Sequence, residues 1–258
     1  MWPGCSKPRL HGLSMAALAV PLAVLVAALL LPAAATAASV PGAHGSTRLS
    51  NEWTFTRWAH PVRKAPIRYL PTSHARQVAR THYLTEDGFP EVYPVLRSWR
   101  DPKRHTWLEV RIPMRPNGRT GWVRRSALGP YFRVHTVLVL VRRKLRATLY
   151  KRGRQIWRAP VGIGKPGTPT PAGRFWIREK FRTPDPGSLY GPVAFGSSDY
   201  SVLSEWPGGG IIGIHGTSEP SLIPGRPSHG CIRLRNRAAR RLWHLMPIGT
   251  PLLIRSGA

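Results

Sequence analysis

The residues able to do chemistry in this sequence fall into two short stretches, Ile214-His215-Gly216-Thr217 and Ser228-His229-Gly230-Cys231-Ile232-Arg233-Leu234-Arg235-Asn236. Of the two cysteines, Cys5 belongs to an N-terminal leader and only Cys231 lies beyond it. A lone thiol cannot form an internal disulfide, and in an oxidising compartment it suggests an intermolecular bridge or a reactive group. Reactivity needs the thiolate, which a free cysteine of pKa ~8.5 supplies at only a few per cent at neutral pH. A neighbouring imidazole can take that proton and later return it to a leaving amine. His215 and His229 are the candidates. Residues alternate faces along an extended chain, so His229 and Cys231 would share a face. That parity leaves the roles of ligand, base and orienting group open. A zinc site built from His215, His229 and Cys231 would have unusual spacing and no carboxylate base, so neither a metal nor any other cofactor is expected.

The second stretch resembles the signature of the L,D-transpeptidase family (the YkuD-type catalytic domain), a histidine and a spacer followed by S-H-G-C, an apolar residue and R. His215 precedes Cys231 by 16 positions. Upstream, Gly167-Thr168-Pro169-Thr170-Pro171-Ala172-Gly173-Arg174-Phe175 is similar to the family's T-P-x-G-x-F segment, and Leu189-Tyr190-Gly191-Pro192 to the loop lining its substrate groove. The likeness covers about residues 134–255. It implies Cys231 as nucleophile and His215 as general base, with the Gly216 carbonyl orienting the imidazole. The lack of any acidic residue after Glu219 fits such an acid-free triad. It further implies an oxyanion hole from the backbone N–H groups of His229, Gly230 and Cys231, each donor typically worth ~3 kcal/mol. Arg233 would hold a substrate carboxylate in a planar two-point contact, and Ser228 and Tyr190 would line the substrate site. One departure is visible. The family's helix usually begins N-x-D, whereas Ala238 replaces the acid here and Arg237 opposes the helix dipole.

The implied reaction is acyl transfer between peptidoglycan stem peptides through a thioester, with release of D-alanine and with carbapenem-type inhibitors as expected ligands. Two alternatives use the same residues or none: an L,D-carboxypeptidase, and a non-catalytic peptidoglycan-binding protein. The NlpC/P60 peptidases place cysteine before histidine, and sortases carry a different cysteine block.

Strands must position these groups. With 27 prolines and 25 glycines the sequence favours turns and short strands, and a mainly β fold is expected. Thr136–Val141 is a continuous apolar run suited to a strand buried on both faces, followed by strands at Leu145–Tyr150 and Gln155–Val161 in an antiparallel meander. Leu252-Leu253-Ile254 is expected to close the sheet. Arg237–Leu245 reads as the one helix beyond the leader, with Asn236 as N-cap and Pro247 ending it. Ahead of this domain (132–255), residues 58–128 resemble a bacterial SH3-like β-barrel. Leu108, Val110 and Ile112 alternate with Glu109 and Arg111, Pro116-Asn117-Gly118 supplies a turn, and Trp99, Trp107 and Trp122 are expected in the core.

Residues 1–37 read as an export signal: Lys7, Arg9 and His11 precede an apolar run to Leu31 and the A-x-A pattern Ala35-Thr36-Ala37. Cleavage before Ala38 would release the chain, and an uncleaved leader would tether it to the membrane. Residues 38–57 read as a flexible spacer. The net charge of +28 attracts polyanions. Export removes nucleic acid as a partner and leaves anionic cell-wall polymers.

Overall fold

The computed structural model describes residues 45–205 and 210–257. The expected leader and the first part of the expected spacer lie outside these residues. Among the described residues no helix is long and apolar enough to cross a membrane.

The chain is mainly β, as its patterning predicts, and its strands form two sheets. The first contains β1 (Thr47–Arg48), β2 (Thr56–Ala59), β3 (Pro66–Arg68), β4 (Gln77–Arg80), β5 (Tyr93–Arg100), β6 (Thr106–Arg111), β7 (Thr120–Arg124) and β8 (Phe132–Val134). Their order is β4-β3-β7-β6-β5-β2-β8, with β1 beside β5. Leu108, Val110 and Ile112 enter one core with Ile67, Tyr93, Val95 and Val123, because alternate residues of a strand share a face. Trp107 and Trp122 are buried. Arg111, placed by the same alternation on the outer face, is instead buried in a two-point pair with Glu52 at 2.5 and 2.8 Å.

The expected boundaries of this region move outward. Residues 47–48 pair with β5 and 132–134 with β2, so 45–57 is ordered rather than a spacer. The cause is local and polar. Asn51 Oδ1 accepts the N–H groups of Trp53, Thr54 and Phe55, and Ser50 Oγ donates to the Val95 carbonyl. Such a turn orders the chain without any hydrophobic period.

The second sheet contains β9 (Thr136–Val141), β10 (Arg146–Lys151), β11 (Arg154–Pro160), β12 (Gly162–Gly164), β13 (Gly173–Arg182), β14 (Val193–Tyr200), β15 (Ile211–His215), β16 (Gly225–Ser228), β17 (Ile232–Arg233) and β18 (Pro251–Arg255). The order is β11-β10-β9-β18-β13-β14-β15-β17-β12-β16. The β9–β11 meander is antiparallel. β18 does not close an edge: it inserts between β9, to which it is parallel, and β13. Its first four residues are all buried, which suits an interior position. The α-helix α1 (Asn236–Leu245) begins one residue earlier than predicted. Arg235 occupies the N-cap position without a side-chain bond, because the Asn236 amide is engaged elsewhere. Ala239 and Leu242 seat the helix on a core that includes Phe195, Ile214 and Ile232.

The sheets pack through Trp58, Val92, Val134 and Trp176, whose indole N–H donates to the Val92 carbonyl at 2.8 Å. Arg178 reaches Glu91 by two contacts, one of them Nε to Oε1 at 2.9 Å, and Glu86 at 2.8 Å. The Pro116-Asn117-Gly118 turn serves the second sheet directly. Asn117 exchanges two hydrogen bonds with the Tyr200 backbone, at 2.9 and 3.0 Å, and Arg115 donates to the Ser201 carbonyl at 3.0 Å. The end of β14 is thereby braced next to the candidate site.

Candidate active site

His215 ends β15 and Cys231 immediately precedes β17. These strands run parallel as neighbours, with Ile214 opposite Ile232 and His215 opposite Arg233. Residues distant in sequence thus meet across one strand spacing. Gly213 supplies the gap between them. A side-chain carbon there would lie 3.5 Å from His215 Cδ2 and 3.8 Å from Cys231 Sγ. The imidazole and the sulfur therefore flank the same space, and both line the same two cavities. The Gly213 N–H also donates to Sγ at 3.4 Å.

The His215 ring is anchored through Nδ1, 2.6 Å from the Gly216 carbonyl. A carbonyl only accepts, so Nδ1 carries the proton and Nε2 keeps its lone pair. The loop beyond is held by Asn236, whose Oδ1 accepts the Thr217 N–H at 2.8 Å. Close approach here excludes side chains: a Cβ would come within 2.3 Å of that oxygen at Gly216 and within 2.4 Å at Gly191. The Leu189–Pro192 loop can therefore pack on the histidine. The Tyr190 ring meets the imidazole in a T-shaped contact, centroids 4.9 Å apart.

Burial pushes His215 down to about 4; the Gly216 bond opposes that shift and Arg233 adds to it. Burial pushes the Cys231 thiol up, against the Gly213 N–H and with a contribution from Asp199. At neutral pH the pair rests as thiol and neutral imidazole rather than as an ion pair. Asp199 lies close to this pair, near enough to act on the thiol. Ser197 Oγ lies 2.5 Å from both Asp199 Oδ1 and the Ile212 carbonyl. One hydroxyl proton cannot serve two acceptors, so a proton on Asp199 completes the chain. Complete burial pushes this carboxyl up to about 7, and its Oδ2 has no hydrogen-bond partner.

The remaining expected residues divide. Ser228 is buried and donates from Oγ to the Cys231 carbonyl at 2.6 Å, while accepting the Gly230 N–H at 3.2 Å. Its hydroxyl thus shapes the nucleophile's turn, and the Gly230 N–H is engaged rather than free for an oxyanion. The His229 carbonyl accepts from Ser201 Oγ at 3.0 Å. Thr170 Oγ1 donates to the Gly230 carbonyl at 2.6 Å and latches the T-P-T-P segment to the same turn. Arg233 pairs with Glu219 at 2.6 Å.

The two cavities differ in character. One, of about 170 Å³, is bordered by Tyr190, Ser201, Ser228, His229 and Arg233. The other, of about 460 Å³, has an apolar wall that includes Phe181 and Phe195, and carries Asp87, Glu179 and Asp185. Glu179 accepts from Thr85 Oγ1 at 2.6 Å, so a loop preceding β5 contributes to this wall. Burial, reinforced by Asp87, pushes Glu179 up to about 7.

Gly213, Asn236, Thr170 and Asp199 were not singled out by sequence reasoning. The family-like helix start Asn236-Arg237-Ala238 and the T-P-T-P segment were available signals for Asn236 and Thr170. Nothing in Ser197-Ser198-Asp199-Tyr200 marks a buried acid.

Residues 135–254 match the family model of the YkuD L,D-transpeptidase catalytic domain. Among curated proteins, the L,D-transpeptidase homologue YkuD of Bacillus licheniformis is 37% identical over 106 residues, which are 41% of this chain and 57% of that protein. YkuD of Bacillus subtilis is 35% identical over 107 residues, 42% and 58% respectively. The chain therefore spans less than two thirds of the relatives it matches. Among solved structures, an Enterococcus faecium L,D-transpeptidase is 25% identical with a TM-score of 0.36, covering 46% of this chain and 49% of that one.

Proposed function

We propose that this chain, which carries a YkuD-type L,D-transpeptidase catalytic domain over residues 135–254, is an exported cysteine transpeptidase acting on peptidoglycan stem peptides. The observation that carries this reading is the meeting of Cys231 and His215 across Gly213, with the imidazole proton fixed on Nδ1. His215 Nε2 takes the thiol proton as Sγ attacks the carbonyl carbon of the third, diamino acid residue of a tetrapeptide stem. The carbonyl electrons move to oxygen, where the Cys231 N–H receives the charge. Collapse breaks the peptide bond, and the imidazolium returns its proton to the amine of the departing D-alanine. A thioester remains. The side-chain amine of a second stem then attacks it and loses a proton to His215. The expelled thiolate recovers that proton, and an amide cross-link is made.

A neutral resting pair suits this sequence of events. The proton leaves sulfur only when a carbonyl is present, so little exposed thiolate is left open to oxidation. The acidic residues of the larger cavity attract an amine, and Glu179, pushed up to about 7, can take the proton an arriving ammonium must shed before it attacks, which supports an amine acceptor over water. The basic start, apolar run and A-x-A pattern of residues 1–37 support export.

The test is intact-mass spectrometry of the mature protein with a carbapenem. One adduct is expected on Cys231 and none in Cys231→Ala; equal labelling of both rejects the nucleophile. Incubation with tetrapeptide-containing peptidoglycan should yield cross-linked muropeptides and free D-alanine. Tripeptides without cross-links would instead identify an L,D-carboxypeptidase.

A further inference from the structure

Four arginines gather away from Cys231, where the edge strand β11 faces the start of α1. A cleft of about 610 Å³ there is lined by Arg158, Arg235, Arg237 and Arg241, and by no Asp or Glu. All four arginines are exposed. Arg235 donates only to carbonyls, those of Pro220 and Ile223. Arg158, Arg237 and Arg241 have no carboxylate partner among the described residues. Arg111, Arg178 and Arg233, which are buried, each meet a glutamate, whereas the cleft arginines are exposed and share one concavity. Within α1, Arg237 and Arg241 are four residues apart, on one face, where like charges repel. The first helical turn contains no acid and the N-cap residue, Arg235, makes no capping bond to it, so its amide N–H groups add positive potential. The cost of this arrangement is unrelieved by the chain itself.

We propose that this cleft binds a linear polymer of phosphate diesters that carries no bases. Guanidinium groups offer paired N–H donors that match two phosphate oxygens at once. A concave site lined by one sign of charge focuses its field more strongly than the same charges spread over a convex surface. The floor favours a ligand without bases. Its one aromatic ring, Trp157, is only 5% exposed and offers no face on which a base could stack. The proposal does not depend on the catalytic reading.

The test measures binding of a synthetic poly(glycerol phosphate) oligomer to the full chain at several salt concentrations. Two triple variants are compared, each losing three positive charges. One is Arg158→Gln/Arg237→Gln/Arg241→Gln. The other is Arg48→Gln/Arg104→Gln/Arg133→Gln, at exposed positions elsewhere. The cleft variant is expected to lose roughly tenfold or more in affinity and to show a shallower salt dependence, with the other losing only a few-fold. Cys231 labelling by a carbapenem should be unchanged in both. Equal losses in the two triples would overturn the proposal in favour of diffuse charge. Tighter binding of a single-stranded DNA oligomer of equal charge, abolished by the cleft variant, would overturn the ligand class. If the cleft triple melts at lower temperature than wild type, Arg158→Glu alone provides the same comparison from the strand side.

Discussion

Arg178 and His215 are 2% and 3% exposed, yet Arg178 hydrogen-bonds to a full charge and His215 only to an uncharged group. Burial works against the charge on Arg178, but the hydrogen bonds and charge of Glu91, with Glu86 behind it, more than reverse the effect and push its pKa up. His215 meets only a carbonyl, Asp199 only a hydroxyl, and Cys231 an amide. Dipoles of this kind do not repay the desolvation of an ion, so each of these groups is pushed towards its neutral form. Equal exclusion of water thus gives opposite outcomes, and the formal charge of the nearest partner decides between them. The charged cluster joins the two sheets. The neutral pair of His215 and Cys231 keeps a proton available for transfer.

The largest expected effect separates the two sites by function. His215→Ala should slow carbapenem acylation of Cys231 by ~10²–10⁴-fold, measured by mass spectrometry against time; a near-normal rate would reject its role as base. Next, Glu91→Gln should destabilise the protein by ~3–5 kcal/mol, since it weakens the partner of a buried cation. Urea denaturation would measure this, and Arg178→Met/Glu91→Leu should recover most of the loss. Asn236→Ala should cost about 1 kcal/mol by freeing the Thr217 N–H, and should lower acylation more than stability if the imidazole drifts. Asp199→Asn should change stability at pH 6 by under about 1 kcal/mol, because the amide replaces an acid already protonated. A loss matching that of Glu91→Gln would break the comparison outright.

The neutral His215 imidazole also sets a pH dependence. His215 serves as base only when neutral, and burial holds it neutral down to about 4. As pH falls through that value the acylation rate should collapse, while between pH 5 and 6.5 it should change little. A limb centred near the ordinary histidine value of ~6.5 would show that the ring is more hydrated than its surroundings imply.

Much of this arrangement is visible in the sequence wherever a local pattern carries it. The alternation in Thr106–Arg111 and the apolar run Thr136–Val141 predict strands because burial imposes a period. The His215 and Cys231 stretches carry their chemistry in residue type. What escapes notice depends on partners far along the chain. Glu52 buries Arg111 across 59 positions, and Thr85 reaches Glu179 across 94. The residues before Trp58 show no hydrophobic period, since Ser50 and Asn51 order them through hydrogen bonds. Nor does the sequence show that the Ser228 hydroxyl is bonded at both ends within its own turn.

The interior position of β18 governs the order in which the molecule can be completed. Its pairing with β9 runs between Leu252 and Leu138, and that with β13 between Ile254 and Gly173. Until those residues have been synthesised, β9 and β13 have no strand to join them, and the halves of the second sheet remain separate. A chain ending after α1 would contain His215 and Cys231 on their paired strands β15 and β17, but that half would lack its join to the β9–β11 meander. Contacts spanning so many residues form slowly. Joining the two halves through β18 is thus the slow step expected of this sheet.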